Sequence, residues 1–321
     1  MKRAEIIAQL KKLIIPGIIA VAMLIAVGVM LLFWNSMINS QPEQYAARRY
    51  GGEDLTQVSA YFASGGGLSI ERLLSVEHTL SADEQTVIQA WSISSQPLRA
   101  IPSEAVANNA VNLDSTAIGG EYFLFHPFPL KSGAYIEPED LMRDRLVINK
   151  QAAWLLYGSN NINGKHVKID ERLYIISGVV DDGNANACAY VPYEMLADDT
   201  KFPIYEAILT NKFTGYAVSA LNAISDFTGA ALIENTSRFE IPHIWDVLLD
   251  FNNRVKQTDA ISYPYWENRA RTVENKLALL LLFGGLLLLW PICYVFIVAV
   301  KVINLIVNSI ETAATKAYRG Y

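Results

Sequence analysis

"LYGSNNINGKHVKIDERLYIISGVV", residues 156–180, decides between a nucleotide-binding fold and a mixed sheet. Gly158, Gly164 and Lys165 imitate a phosphate-binding loop, but such a loop holds four residues between its first glycine and the Gly-Lys pair, then Ser or Thr to reach magnesium. Here five residues intervene and His166 follows the lysine. The approach, "KQAAWLL", reads as helix, whereas a phosphate loop is entered from a strand. The residues instead fit a short helix closed by Gly158, a turn at Gly164, and a strand carrying Val167 and Ile169. A second turn at Asp170 and Glu171 then leads into a strand carrying Leu173, Ile175 and Val179.

The same patterning extends in both directions. "TVIQAWSIS", "NAVNLDST", "DRLVINK", "YEAILTN" and "AALIENTS" alternate or are rich in β-branched residues and read as strands. Ser69 offers an N-cap ahead of Ile70, Leu73, Leu74 and Leu80, whose apolar spacing suits a helix, and "FTGYAVSALNAISDF" reads as amphipathic helix. Residues 42–63 are expected to be helical, broken around Gly51 and Gly52. The pattern is α+β and not a repeated βαβ unit.

Composition places this domain outside a membrane. Of 321 residues, 52% are hydrophobic and 18% charged, too apolar for an ordinary soluble protein. The excess lies in residues 13–34 and 277–300, two uncharged runs, each long enough to cross a hydrocarbon core of about 30 Å. A cleaved signal peptide is the alternative for the first, but its apolar run is too long and no small-x-small cleavage site follows. Pro16, Pro291 and the pair Gly284 and Gly285 suggest kinks or close helix contact, or equally a flexible lipid-facing helix. Lys2, Arg3, Lys11 and Lys12 before the first run, with Lys301, Lys316 and Arg319 after the second, predict two cytoplasmic ends at a plasma membrane. The expected order is a cytoplasmic segment (1–12), a transmembrane helix (13–34), an extracytoplasmic domain with stalk helices (35–276), a second transmembrane helix (277–300) and a cytoplasmic tail (301–321). Residues 35–276 contain 19 basic and 30 acidic side chains, a net −11, which argues against a nucleic-acid partner.

Residues 122–182, "YFLFHPFPLKSGAYIEPEDLMRDRLVINKQAAWLLYGSNNINGKHVKIDERLYIISGVVDD", are similar to the MacB-type periplasmic core domain of FtsX/MacB-like ABC transporter permeases. An ordered pattern carries the resemblance: an aromatic segment, the turn at Leu130, Ser132 and Gly133, the acidic "EPED" step, "INK", "LYGS", "NGK" and "GVV". The flanks "IYEAILTN", "IENTSRF" and "YPYWENRARTVENK" also resemble this group. The resemblance implies an outer domain of two lobes on stalks (residues 36–50 and 264–276) that relays the motion of a separate cytoplasmic ATPase, with no substrate crossing the bilayer. It implies, as partners, that ATPase, a sister permease or a second copy, an extracytoplasmic protein, and membrane lipid. Permeases of this group usually carry four transmembrane helices and this chain presents two, so a half-permease or an accessory subunit is expected. The alternative is a stand-alone anchored binding or sensory module.

No catalytic constellation and no cofactor motif appears. His78, His126, His166 and His243 are scattered, and Ser132 lies outside any nucleophile elbow. Asp181 and Asp182 read as a solvated turn in preference to a calcium loop. Cys188 and Cys293 fall on opposite sides of the membrane boundary, so no disulfide joins them. Two segments are candidates for contact. Ile303, Ile306 and Ile310 form an apolar stripe on the tail, suited to docking on the ATPase, to lying on the inner leaflet or merely to extending the second span. Tyr122, Phe123, Phe125 and Phe128 are either a core-packing strand and bend or a partner-contacting surface. Tyr263, Tyr265, Trp266, Arg269 and Arg271 read as a membrane-interface group.

Overall fold

The computed structural model describes residues 2–51, 54–82, 88–95, 100–105, 110–138, 144–169, 172–195, 200–210, 213, 215–251 and 261–318. The turn expected at Asp170 and Glu171, the second half of "EPED", Gly52 and the last three tail residues lie outside the described residues. The chain forms two units, one of residues 41–240 and 256–271, the other of residues 1–40, 241–255 and 272–321.

The first unit is built on an 11-stranded sheet with two kinds of topology. Strands β1 (Leu55–Tyr61), β2 (Ile88–Ser94), β10 (Ile204–Thr210) and β11 (Ala231–Glu234) lie in the order β11-β1-β10-β2, each antiparallel to its neighbours. Helix α3 (Ile70–Ala82) connects β1 to β2 and α6 (Tyr216–Asn222) connects β10 to β11, so two split βαβ units interleave. The remaining strands are inserted between β2 and β10. There β4 (Ala110–Gly120), β3 (Ala100–Ala105), β7 (His166–Ile169), β8 (Arg172–Val180), β6 (Arg145–Asn149) and β9 (Cys188–Pro192) pair in a ring that closes from β9 back to β4. Strand β5 (Leu130–Gly133) pairs with β8 beside the ring. The two expected lobes are therefore halves of one sheet. They share β4, whose last three residues pair with β2 while the rest serve the ring.

One core runs through both halves. Val58, Leu73, Ile93 and Phe202 from the first are continuous with Leu113, Ile148, Leu156 and Ile176 from the ring. Each such side chain contributes about 1.5–3 kcal/mol by leaving water. Helix α5 (Lys150–Tyr157) takes part in this core through Ala152, Ala153 and Leu156. It begins where the Asn149 side chain accepts from the Ala152 N–H at 3.0 Å, and it ends at Gly158, whose φ of 66° only glycine adopts at no cost.

Residues 42–63 depart from the helical expectation. A 3₁₀ turn (Pro42–Tyr45) and the five-residue α2 (Ala46–Tyr50) come first, and Leu55–Tyr61 is strand β1. Six of its seven residues are buried, including Thr56, Gln57 and Ser59, so no polar face marks the strand. The first expected stalk, residues 36–50, is accordingly broken, because helix α1 (Lys2–Asn39) ends before the 3₁₀ turn. Strands β3, β5 and β9 had no clear sequence signal.

The second unit holds α1, helix α7 (Ile241–Leu249), and residues 272–318 of helix α8 (Tyr265–Tyr318). The spans Lys12–Asn39 and Tyr265–Glu311 are long and apolar enough to cross a membrane, and they expose large side chains such as Ile15, Leu32, Leu286 and Phe296. The two long helices meet where the Tyr294 hydroxyl donates to the Leu13 carbonyl at 3.0 Å. A Cβ at Gly17 would lie 2.6 Å from that hydroxyl, so the missing side chain permits the contact. Gly284 and Gly285, for which the sequence leaves close contact and a lipid-facing helix both open, have at nearest Met30 at 3.9 Å and nothing within 4 Å respectively, as the second reading expects.

Candidate functional site

A buried polar junction occupies the place where the first turn of α8 packs on the open half of the sheet. Glu267, in that turn, is fully buried and receives two hydrogen bonds from Arg238: Nη1 to Oε2 at 2.6 Å and Nη2 to Oε1 at 2.7 Å. Arg238 is itself only 2% exposed and also donates to Gln44 Oε1 at 3.2 Å. Arg271, one helical turn on from Glu267, adds an Nε bond to Oε1 at 2.7 Å and lays its guanidinium 3.7 Å from the Tyr263 ring centroid. The carboxylate thus accepts three charge-assisted bonds in a low-dielectric setting, where such bonds are strong and orientation-specific.

A second pair lies alongside. His126 Nε2 and Glu206 Oε2 are 2.7 Å apart, both essentially without solvent contact. The Ser59 hydroxyl donates to Glu206 Oε1 at 3.1 Å, and Asn235 Nδ2 donates to Ser59 at 2.7 Å. Trp266 joins the two pairs, since its ring centroid lies 4.4 Å from that of His126 and it neighbours Glu267 in α8. Tyr61, on β1, sits with its hydroxyl 3.5 Å from Glu267. Burial pushes that phenol well above its ordinary pKa, and the charges of Glu267 and Glu206 push the same way. Gln57 completes the frame: its Nε2 donates to the Glu43 carbonyl and its Oε1 accepts from the Ala46 N–H, both at 2.8 Å, fixing α2 against β1.

The membrane-interface reading of "YPYWENRAR" is corrected by this arrangement. Trp266 is 7% exposed and packs on His126 with the rings tilted, while Arg271 is held by Glu267 and Tyr263; Tyr265 and Arg269 remain exposed. Of the two readings of the aromatic run, burial favours core packing over a partner-contacting surface, although on a helical turn and not on a strand. Tyr122, Phe123, Phe125 and Phe128 are all buried, on and just after the single-turn helix α4 (Tyr122–Phe125). Tyr122, Phe123 and Phe128 pack against Tyr190 at centroid distances of 5.6–5.9 Å, and Phe125 packs on Ala46, Ala47 and Ile208. They are core, because edge and offset ring contacts satisfy them within the domain.

Tyr122 and Phe128 do reach a cavity of about 300 Å³, which they share with Tyr190, Trp266 and Asp114. Asp182, read from sequence as part of a solvated turn, accepts from the Tyr190 hydroxyl at 2.9 Å and from the Asn184 N–H at 3.0 Å. Asp181 pairs with Lys150 at 2.6 Å and Lys131 at 3.1 Å, and the Lys150 hydrogen bond first holds its carboxyl below the ordinary range. Among the described residues no three His, Cys, Asp or Glu side chains gather as metal ligands. Ile303, Ile306 and Ile310 lie exposed on α8, which continues without a break to Tyr318.

Residues 14–222 match the MacB-like periplasmic core domain family, about two thirds of the chain. The chain belongs to that family. The match takes in the first apolar helix and the MacB-like domain as far as α6, leaving β11 and α8 beyond it. Among solved structures, the periplasmic region of MacB from Actinobacillus actinomycetemcomitans is 16% identical, with a TM-score of 0.43 over 59% of this chain and 92% of its own. The extracellular domain of the noncanonic ABC-type transporter YknZ from Gram-positive bacteria is 13% identical, with a TM-score of 0.41 over 56% and 98%. No curated protein matches the chain. Arg238 and Glu267 therefore lie outside the matched part of the MacB-like chain, and no spacing in the sequence advertised them.

Proposed function

We propose that the chain is the membrane-anchored, permease-type subunit of an ABC transporter complex. A separate cytoplasmic ATPase displaces the long helices, and the outer domain relays the displacement to an extracytoplasmic partner, for export or envelope remodelling. Membership of the MacB-like periplasmic core domain family and two apolar helices flanking that domain support the reading. In this account residues 1–12 and 301–321 are cytoplasmic, 13–34 and 277–300 span the plasma membrane, and 35–276 are extracytoplasmic. A sister permease or a second copy completes the membrane part.

The observation that carries the reading is the fastening of α8. Its first turn holds Glu267, which Arg238 grips through both carboxylate oxygens, and the same helix runs on through the apolar stretch to Tyr318. A displaced helix whose end were loosely packed would slide on the sheet, whereas a bidentate, desolvated pair resists both shear and rotation. The exposed stripe of Ile303, Ile306 and Ile310 is the proposed ATPase-docking element at the other end.

The test is purification of the tagged chain from its native membrane in mild detergent, beside a variant lacking residues 301–321, with mass spectrometry of co-purifying chains. The account predicts an ATPase with the full chain and its loss with the deletion. The cavity walled by Tyr122, Tyr190 and Trp266 favours a second reading, an anchored binding module. That reading predicts an outer-surface ligand or protein and no ATPase with either form.

A further inference from the structure

Helix α7 has two apolar faces, and only one of them is used inside the protein. Ile244 and Val247 are buried. Ile241, Trp245 and Leu249, spaced four apart and hence in one stripe, are 62%, 51% and 71% exposed. Asp246 and Asp250 are exposed beside them on the remaining side. A helix in contact with protein and water alone needs one apolar sector and one polar sector. A third sector, apolar and open, indicates a third environment.

The level of that stripe along α8 is fixed within the same unit. His243 Nε2 lies 3.4 Å from Glu274 Oε1, and Glu274 precedes the start of the uncharged run at Leu277 by three residues, about 4.5 Å at the rise of an α-helix. The stripe is thus held where α8 passes from charged to apolar sequence. Tryptophan is enriched at that depth of a membrane, and an amphipathic helix there buries its apolar side between headgroups and acyl chains. We propose that α7 is an interfacial helix, with Ile241, Trp245 and Leu249 seated in the outer leaflet of the lipid bilayer. The acidic side of α7, with Asp246 and Asp250, faces water. The inference rests on reading residues 277–300 as a membrane span.

Cysteine is placed singly at Ile241, Trp245, Leu249, Asp246 and, within the span, Leu286, in a Cys293→Ser background, and each is spin-labelled; Cys188 is buried. The full chain is reconstituted in vesicles of phosphatidylethanolamine and phosphatidylglycerol, and collision with oxygen is compared with collision with a water-soluble nickel chelate. The expected result is oxygen-dominated relaxation at 241, 245, 249 and 286, and nickel-dominated relaxation at 246. Nickel-dominated relaxation at all three stripe positions, with 286 still oxygen-dominated, overturns the interfacial placement alone. Nickel dominance at 286 overturns the span reading and the inference with it. Spin-spin broadening at the stripe on full labelling, lost on dilution with unlabelled chain, would make the occupant a second copy and also overturn the proposal.

Discussion

Arg238 and Glu267, 29 residues apart in sequence, form a bidentate ion pair at 2.6 and 2.7 Å with almost no solvent contact. Removing Glu267 strands the Arg238 charge in the interior, where the neutral Gln44 accepts from it, and removing Arg238 leaves Glu267 paired with Arg271. Arg238→Ala or Glu267→Ala is predicted to cost about 3–5 kcal/mol, whereas replacing the pair together with apolar residues of similar volume restores most of the loss. Thermal unfolding of the full chain in detergent, followed by tryptophan emission, checks this. Similar midpoints for the single and paired replacements would show that the charges are not energetically coupled.

Asn149 is a second point of concentrated dependence. Its Oδ1 caps α5 at Ala152 and accepts from the Cys188 N–H, each at 3.0 Å, while its Nδ2 donates to the Asn186 carbonyl at 2.7 Å. Asn149→Ala removes the cap and leaves buried backbone groups unpaired, for an expected loss of about 2–4 kcal/mol. Asn149→Asp keeps Oδ1 but loses the donation to Asn186 and sets a charge against Asp182, so it is expected to rescue only in part. The unfolding midpoints rank wild type, Asp and Ala in that order.

Cys188 supplies a pH dependence with a definite sign. Burial, reinforced by the charges of Asp182 and Asp114, pushes its thiol up to about 12. The folded chain therefore holds the proton more tightly than the unfolded one, whose thiol titrates near ~8.5. The contribution is fully present below that value and is lost as pH rises from there towards 12. Maleimide should leave Cys188 unmodified in the folded protein at pH 8 and modify it fully in urea. Asp182→Asn should lower the thiol pKa and raise its native-state labelling rate, measured in a Cys293→Ser background. Rapid native labelling of the unaltered Cys188 would contradict the burial argument.

Much of the fold was legible because periodicity survives where an element has one wet face. The strand alternation of β7 was readable for this reason, whereas α5 was readable from its caps, the two long runs from their lack of charge, and α3 from an apolar spacing of which Leu73 is buried and Leu74 exposed. Strands β1 and β9 were not, because both their faces are buried and the alternation disappears; β6 and β10 are as buried but carry continuous apolar runs (Leu146–Ile148, Ala207–Leu209), whereas β1 mixes Thr56, Gln57 and Ser59 into its buried residues and β9 ends in Pro192. The junction was invisible for a different reason. Glu206 and His126 are 80 residues apart, and an arginine beside aromatic residues next to an apolar run reads equally as a membrane interface or as a buried pair. Composition carries no information about which of these desolvates it. The aromatic run from Tyr122 to Phe128 was open to two readings until the ring contacts with Tyr190 placed it in the core.

The central claim is that movement of α8 passes into the outer domain through its first turn. Hydrogen exchange, measured on the chain assembled in lipid nanodiscs with the ATPase proposed as its partner, with and without ATP, tests it most directly. The account predicts a nucleotide-dependent change in protection across residues 263–271 and in β1 and β10, absent when residues 301–321 are deleted. Identical exchange in those segments with and without ATP, in a complex that hydrolyses it, would contradict the claim.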